Sequence, residues 1–313
     1  MLANIVIYSA VFLYGIIVGS FLNVCILRIP LKETIVSKRS HCMSCGHQLA
    51  WYDLFPLFSY LFLGGKCRYC KVKISKQYPI VEFINGAMAV LCFFFAHFRA
   101  EDLANLNILI ETGRYPSGEE ILITDWFASV YDIEFIILSC ILCSTLIVIS
   151  VIDWRTFEIP VSANIVILVL GIINLISYGY QDSRYFKFYC DAVGKNPGFF
   201  ELIYARGRAM ELIIGFFAVS IPLAIIYYAS KGKAIGGGDV KLMAVAGLFL
   251  GWKLILVALI AGCLYGSVIH IIRMKVSGEG KQLAMGPYLS AGIVTALWFG
   301  KDIVTWYSGF FNL

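Results

Sequence analysis

The sequence has little charge for its length. Of its 313 residues, 14% are Asp, Glu, Lys or Arg, while 60% are hydrophobic. Soluble domains carry about 25% charged residues, so this composition excludes an ordinary soluble protein. The alternation of apolar and polar residues typical of a β-barrel is also missing, and the apolar runs are continuous instead. The sequence therefore predicts an integral membrane protein of helical type.

A helix needs roughly 20 apolar residues to span a bilayer, and eight apolar segments approach this length. They are residues 2–27, 80–98, 135–152, 159–180, 212–230, 242–252, 254–272 and 283–300. The segment 242–252 is the weakest, because 11 residues of helix reach only about 16 Å. The first segment has no basic residue before it, so we expect a retained helix. We predict an all-α polytopic membrane protein with about eight transmembrane helices.

The distribution of Lys and Arg predicts the orientation of these helices. Residues 31–79 hold eight Lys or Arg, whereas residues 99–132 hold two, together with seven acids. This asymmetry places residues 31–79 in the cytoplasm and the N-terminus outside. Residues 181–208, which hold five Lys or Arg, point weakly the other way. The net charge of +5 mostly reflects the loop asymmetry and does not indicate a nucleic-acid partner.

The chain divides into three predicted parts. Residues 1–30 hold the first transmembrane helix, residues 31–79 form a small cytoplasmic insertion, and residues 80–313 form a transmembrane bundle. We find neither a strong internal repeat nor a low-complexity tract.

The insertion contains two C-x2-C pairs. Cys42 and Cys45 form the first pair, and Cys67 and Cys70 form the second after 21 intervening residues. This spacing is close to that of a zinc ribbon, in which four thiolates enclose one ion. Because cytoplasmic thiols stay reduced, the pattern predicts a structural Zn²⁺ rather than disulfides. The alternatives are redox-active or merely structural thiol pairs.

Two aspartates at the ends of apolar segments are the candidate catalytic residues. Asp153 ends one segment, and Asp239 follows Gly236, Gly237 and Gly238. Acids at membrane depth are costly and mark functional sites. Three glycines give the backbone the freedom to unwind and to admit an extended substrate. The predicted topology puts both aspartates on the cytoplasmic side.

Two carboxylates that share a proton can hydrolyse a peptide bond, as in aspartic proteases. One takes a proton from water, and the other donates a hydrogen bond to the scissile carbonyl. The sequence lacks a credible Ser/His/Asp set, which would serve a serine protease. From these residues alone, a paired structural element and an ion or proton path both remain open.

Further motifs give the chain a resemblance to a known family. They are Gly19-Ser20-Phe21-Leu22-Asn23-Val24, the two C-x2-C pairs, Gln77-Tyr78-Pro79-Ile80-Val81-Glu82, Gly236-Gly237-Gly238-Asp239 and Met285-Gly286-Pro287-Tyr288-Leu289. With these motifs the chain resembles the type IV prepilin peptidases, which are also prepilin leader peptidase/N-methyltransferases. The resemblance covers most of the length, although the GxGD element alone would also fit presenilin-like enzymes.

The resemblance implies a GxGD-type aspartic peptidase of the bacterial inner membrane that uses Asp153 and Asp239. Its substrates would be type IV prepilins or the pseudopilins of type II secretion. Their basic leader would be cut after glycine on the cytoplasmic side. The new N-terminus would then be methylated with S-adenosylmethionine. Gly65 and Lys66 match a pair tied to methylation in the family, and Glu82 is a further candidate for that step.

The chain departs from the family pattern at four positions. They are Gly64 in place of an arginine, Leu54 in place of an asparagine, Met43 in place of a proline and Val161 in place of an acid. These departures leave the two aspartates untouched and bear on the methylation step. The insertion also lacks a glycine-rich fingerprint for S-adenosylmethionine. Two alternatives stay open: a GxGD protease without methylation, and a transporter or assembly scaffold with a zinc module.

Overall fold

The computed structural model describes the backbone of residues 2–35, 40–111, 120–193, 207–277 and 283–310. Within them, side chains are described for residues 5–35, 40–96, 133–180, 207–276 and 283–310. The described residues form ten α-helices and one short 3₁₀ helix, with isolated β-bridges in place of strands. The prediction of an all-α chain is confirmed.

Among the residues that the structure describes, six helical stretches are long and apolar enough to cross a membrane, so the chain is a multi-pass membrane protein. The candidate spans are Ile5–Arg28, Gln77–Ala96, Ile133–Thr156, Val161–Tyr180, Gly207–Ala229 and Trp252–Val276. They overlap six of the eight predicted segments. The segments 242–252 and 283–300 are also mostly helical, but the first is short and the second lies in a helix that carries Lys301 and Asp302. Whether these two span remains a prediction.

The chain forms two compact units, Met1–Val148 and Ile149–Leu313. The first unit contains α1 (Leu2–Arg28), the 3₁₀ helix Trp51–Leu54, α2 (Phe58–Phe62), α3 (Gln77–Glu111) and most of α4 (Glu120–Thr156). Helix α1 packs along α3. The buried Asn85 of α3 donates to the carbonyl oxygen of Gly15 at 2.7 Å and accepts from the hydroxyl of Ser144 in α4 at 2.8 Å. This side chain therefore joins three helices of the unit.

The second unit contains the end of α4 and six further helices. They are α5 (Val161–Val193), α6 (Gly207–Ala218), α7 (Ser220–Ala229), α8 (Gly237–Leu250), α9 (Trp252–Ser277) and α10 (Gly286–Phe310). The predicted segment 212–230 is divided between α6 and α7. Pro222 explains the division, because proline lacks an N–H and its ring clashes with the carbonyl four residues earlier, at Ala218.

The short helix α8 is the centre of the second unit. It packs against α5, α6, α7, α9 and α10, and its residues 242–250 are all buried. A helix that is apolar on every side is typical of a bundle core or of a membrane span. The buried Asn174 of α5 donates to the carbonyl oxygen of Phe249 at 2.9 Å. The shortness of segment 242–252 therefore goes together with a position inside the bundle.

Glycines allow α8 to approach α6 closely. A Cβ atom added to Gly247 would overlap the backbone of Gly215, and one added to Gly215 would overlap Gly247 and Gly251. Small residues at helix contacts are the usual means by which membrane helices gain close packing. Gly251 lies at a φ of +87° between α8 and α9, a conformation that side chains other than glycine rarely adopt.

Replacing Gly247 by alanine should force α6 and α8 apart and lower the free energy of unfolding by about 1–3 kcal/mol. The thermal unfolding midpoint of the purified protein in detergent measures the effect. Gly309→Ala is the matched control, because a Cβ there would meet nothing within 4 Å. Equal midpoints for the two variants would contradict the close packing of these helices.

Candidate functional site

Both candidate aspartates lie at helix ends in the second unit. Asp153 is near the end of α4 and is only 5% exposed. Asp239 is in the first turn of α8 and is half-buried. Asp153 thus follows the apolar part of α4, and Asp239 precedes the apolar part of α8.

Asp153 accepts a hydrogen bond from the start of a third helix. Its Oδ2 lies 2.8 Å from the backbone nitrogen of Gly286, the first residue of α10. The first N–H groups of a helix have no partner within the helix, and the positive end of its dipole favours a negative charge there. The contact therefore holds the Asp153 carboxyl in place.

The negative charge of Asp153 affects the pKa of Asp239. The pKa of Asp239 is raised to about 6, mainly because the carboxyl is buried and also because Asp153 is negatively charged. A hydrogen bond from the backbone N–H of Gly236 acts in the opposite direction. Asp239 therefore retains its proton more readily than an ordinary aspartate.

The three glycines before Asp239 begin α8 without side-chain bulk. Gly236 is the extended residue before the helix, and a Cβ there would lie 3.0 Å from Oδ2 of Asp239. A Cβ on Gly238 would lie 3.0 Å from Cβ of Ile159, and one on Gly237 would lie 3.4 Å from the ring of Tyr227. The run thus leaves room for the carboxyl and its neighbours. Its role in backbone flexibility remains a prediction.

Gly286 is a residue that the sequence did not single out for this site. It belongs to the motif Met285-Gly286-Pro287-Tyr288-Leu289, and a Cβ on it would lie 2.7 Å from Oδ2 and 3.0 Å from Cβ of Asp153. The available signal was a glycine followed by proline at the start of a helix. Only the fold reveals that this helix begins beside Asp153.

In the first unit, the four cysteines of the insertion form one cluster. Their sulfur atoms all lie within 4.8 Å of one another, and Sγ of Cys42 is 3.8 Å from Sγ of Cys70. Four thiolates at about 2.3 Å from a tetrahedral zinc would be about 3.8 Å apart. The cluster can therefore hold a metal ion.

The two pairs adopt matching turns. The N–H of Cys42 donates to the carbonyl of His47 at 2.9 Å, and the N–H of Cys67 donates to that of Val72 at 2.9 Å. Gly46 and Lys71, each four residues after the first cysteine of its pair, both have positive φ. Backbone N–H groups of Cys45 and Ser44 lower the pKa of the Cys42 thiol to about 6. Such donors favour the thiolate that a metal needs.

The three candidates for methylation lie in two places of the first unit. Gly65 is buried at a φ of +68°, with the Tyr60 ring against it, and Lys66 is exposed. Glu82 is buried in α3, where its carboxylate accepts the N–H of Leu57 at 2.8 Å and bonds to the hydroxyl of Ser20. None of the hydrogen bonds described for Glu82 reaches the Gly65–Lys66 pair.

The cysteine cluster makes a direct prediction about metal content. The purified protein should contain about one metal ion per chain, and Cys42→Ser or Cys70→Ser should lose most of it, because each removes one of four thiolates. Elemental analysis by mass spectrometry measures the content. The control is Cys263→Ser, which removes an exposed free cysteine of α9. Full metal content in both cluster variants would exclude the four-sulfur site.

Comparison with known proteins matches both parts of the chain to one group of peptidases. Residues 13–96 match the bacterial peptidase A24 N-terminal domain, and residues 140–271 match the type IV leader peptidase family. The first match contains the four cysteines and Glu82, and the second contains both aspartates. No solved structure matches the chain.

Curated relatives agree with these matches. A prepilin leader peptidase/N-methyltransferase of Myxococcus xanthus is 30% identical over 272 residues, which are 86% of this chain and 64% of the relative. One of Bacillus subtilis is 29% identical, over 96% of this chain and 97% of the relative. One of Aeromonas salmonicida is 25% identical, over 96% and 93% of the two chains. The matches to both parts of the chain, together with these relatives, show that it belongs to the type IV leader peptidase family of enzymes.

Proposed function

We propose that the chain cleaves the leader of type IV prepilins or pseudopilins and then N-methylates the new N-terminus. The observation that carries the peptidase part is the buried Asp153 beside Asp239, where α4, α8 and α10 meet. Both aspartates lie inside the region that matches the type IV leader peptidases. The relatives' names support the two activities and their substrates.

The surroundings of the two carboxyl groups support different roles for them. Asp153 accepts the N–H of Gly286 and is assigned the ionised form. The shared proton is therefore assigned to Asp239. Two close carboxylates cannot both ionise easily, so the pair shares one proton and titrates as a unit.

Hydrolysis would then proceed through water. The Asp153 carboxylate removes a proton from a water molecule while the oxygen of that water attacks the scissile carbonyl carbon. Asp239 first donates a hydrogen bond to the carbonyl oxygen and then transfers its proton to it. Collapse of the tetrahedral intermediate breaks the C–N bond. Asp153 gives its proton to the leaving amine, and Asp239 recovers its proton from the re-forming carboxyl group. Gly236, Gly237 and Gly238 leave space for the peptide backbone beside Asp239.

The proposed setting is the bacterial inner membrane. The excess of Lys and Arg in residues 31–79 supports a cytoplasmic insertion and an external N-terminus. Asp153 and Asp239 would then face the cytoplasm, where a basic prepilin leader remains. Type IV pilus assembly and type II secretion are the processes that such substrates serve.

We assign the metal of the cysteine cluster as structural Zn²⁺. The donor set of Cys42, Cys45, Cys67 and Cys70 fits zinc, which prefers four thiolates in a tetrahedron. Four protein ligands leave no open position for a substrate or water, so the ion would hold the insertion together rather than take part in a reaction. In a domain this small, metal binding supplies folding free energy that the core lacks.

Methylation is assigned to the insertion. S-adenosylmethionine would supply the methyl group as a sulfonium electrophile. The enzyme's part is to present the new terminal amine in neutral form, and a free α-amine has a pKa near 8. We propose Gly65 and Lys66 for this step. Because the carboxylate of Glu82 is held by Leu57 and Ser20, we propose that Glu82 positions the insertion.

A prepilin incubated with the detergent-purified protein tests the proposal. Mass spectrometry should show loss of the leader and, with S-adenosylmethionine, a gain of about 14 Da from one added methylene. Cleavage without that gain would favour a GxGD protease without methylation. Failure to cleave a prepilin that is processed in the same cell would favour the transporter or scaffold alternative.

Asp153→Asn and Asp239→Asn should each lower kcat/KM for leader cleavage at least about 100-fold, since each removes a general acid or base. Single-turnover cleavage followed by mass spectrometry measures the loss. Asp302→Asn, which changes an exposed acid of α10 in the same way, is the control and should cleave normally. A variant of either site residue with wild-type kcat/KM would remove that residue from the mechanism.

Lys66→Ala should reduce methylation of the cleaved product while leaving leader removal close to the wild-type rate. Lys66 is exposed in the insertion, so its loss should not unfold the chain. The ratio of methylated to cleaved product measures the separation. Lys73 pairs with Lys66 in an isolated antiparallel β-bridge, so Lys73→Ala is the control for the loss of a lysine. Equal losses of both activities in Lys66→Ala would contradict two separate sites.

A further inference from the structure

The insertion exposes a group of large apolar side chains between its two cysteine pairs. We call residues 51–62 the aromatic segment; it consists of the 3₁₀ helix Trp51–Leu54, a short connection and α2. Trp51 is 79% exposed, Leu61 71% and Phe62 87%, and Phe55 and Phe58 are exposed as well. So many exposed large apolar side chains in one short segment indicate an interaction site.

A hydrogen bond to a membrane-spanning helix locates the segment. Leu57, at its centre, donates its N–H to the carboxylate of Glu82 at 2.8 Å. Glu82 lies five residues into the candidate span Gln77–Ala96, which is about 7.5 Å along the helix. The backbone of the segment is therefore held beside the end of a span. Interfacial helices bury their apolar face to about this depth, roughly 5–10 Å.

The segment is also attached firmly to the second cysteine pair. Asp53 accepts Nε of Arg68 at 2.7 Å, the hydroxyl of Tyr69 at 2.9 Å and the N–H of Ala50 at 3.2 Å. The Arg68 guanidinium lies 5.1 Å from the centre of the Tyr52 ring. The exposed aromatic side chains are thus presented by an ordered structure that the cysteine cluster closes.

The charge of the insertion indicates what the segment faces. Residues 31–79 contain eight Lys or Arg and only two acids, Glu33 and Asp53, of which Asp53 is paired with Arg68. Basic residues beside Trp and Phe are the usual composition of protein surfaces that bind anionic lipid headgroups. Trp and Tyr in particular favour the boundary between headgroups and acyl chains.

We propose that the aromatic segment is an interfacial membrane anchor. Its apolar side chains enter the boundary between headgroups and acyl chains on the insertion's side of the membrane, next to the start of α3. The surrounding lysines and arginines contact anionic headgroups. The anchor fixes the height of the cysteine cluster above the membrane through Asp53 and Glu82. This binding to lipid does not depend on either proposed activity.

Fluorescence of Trp51 in lipid nanodiscs tests the proposal. The chain has six tryptophans, and a variant in which the other five are Phe reports on Trp51 alone. Nanodiscs of anionic lipids brominated on the acyl chains should quench this fluorescence. Iodide in the water should quench it severalfold less than in the denatured protein.

A second design is used if the variant with five Trp→Phe substitutions does not fold. Its thermal midpoint and its metal content show whether it has folded. The difference in quenching between the wild type and Trp51→Phe then isolates the signal of Trp51. Strong quenching of Trp51 by iodide, with no quenching by brominated lipids, would overturn the proposal. Protection from iodide that appears only when a prepilin is added would overturn it too, in favour of substrate docking.

Paired substitutions test whether the surface itself binds lipid. The double variant Leu61→Asp/Phe62→Asp should expose Trp51 to iodide and reduce its quenching by brominated lipids. Met43→Asp is the control, since Met43 is an equally exposed apolar residue of the insertion (76%) outside the segment. Unchanged quenching in the double variant, or the same change in Met43→Asp, would contradict the anchor.

Discussion

The hydrogen bond from the Gly286 N–H to the Asp153 carboxylate is the interaction on which the site of the second unit depends. It joins the end of α4 to the start of α10, and it satisfies two groups that would be costly to bury alone: a carboxylate and a free backbone donor. It also fixes the orientation of Asp153 relative to Asp239. The proposed division of roles between the two carboxyl groups follows from this contact, because Asp153 already accepts a backbone N–H and leaves the shared proton to Asp239.

The short helix α8 lies inside the helix bundle of the second unit. A helix of 14 residues reaches about 21 Å, less than the roughly 30 Å of a bilayer's hydrocarbon core, and α8 packs against five other helices of its unit. Its glycines at 236–238 keep the start of the helix free of side chains beside Asp239, and Gly247 brings it against α6. The apolar remainder of the helix, residues 242–250, is buried against these helices.

Much of the fold and of the site was predictable from the sequence. Spacing alone predicted the four-cysteine cluster, because two C-x2-C turns bring their sulfurs together wherever they meet. Apolar length predicted the spans, although not their ends: α3 and α4 continue beyond the predicted segments 80–98 and 135–152, since a helix does not stop where its polarity changes. Two hydrogen bonds could not be predicted: the one from Gly286 to Asp153 and the one from Leu57 to Glu82. Each joins a backbone N–H to a side chain that is far away in sequence.

The rate of leader cleavage by Gly286→Ala tests the central claim most directly. A methyl group there would lie 2.7 Å from Oδ2 of Asp153 and would push the carboxylate from its place. Because misplacement by about 1 Å can cost about 100-fold in rate, cleavage should fall by about that factor, while the thermal midpoint stays close to that of Gly309→Ala. Cleavage at the wild-type rate would contradict the claim that the start of α10 positions Asp153 for catalysis.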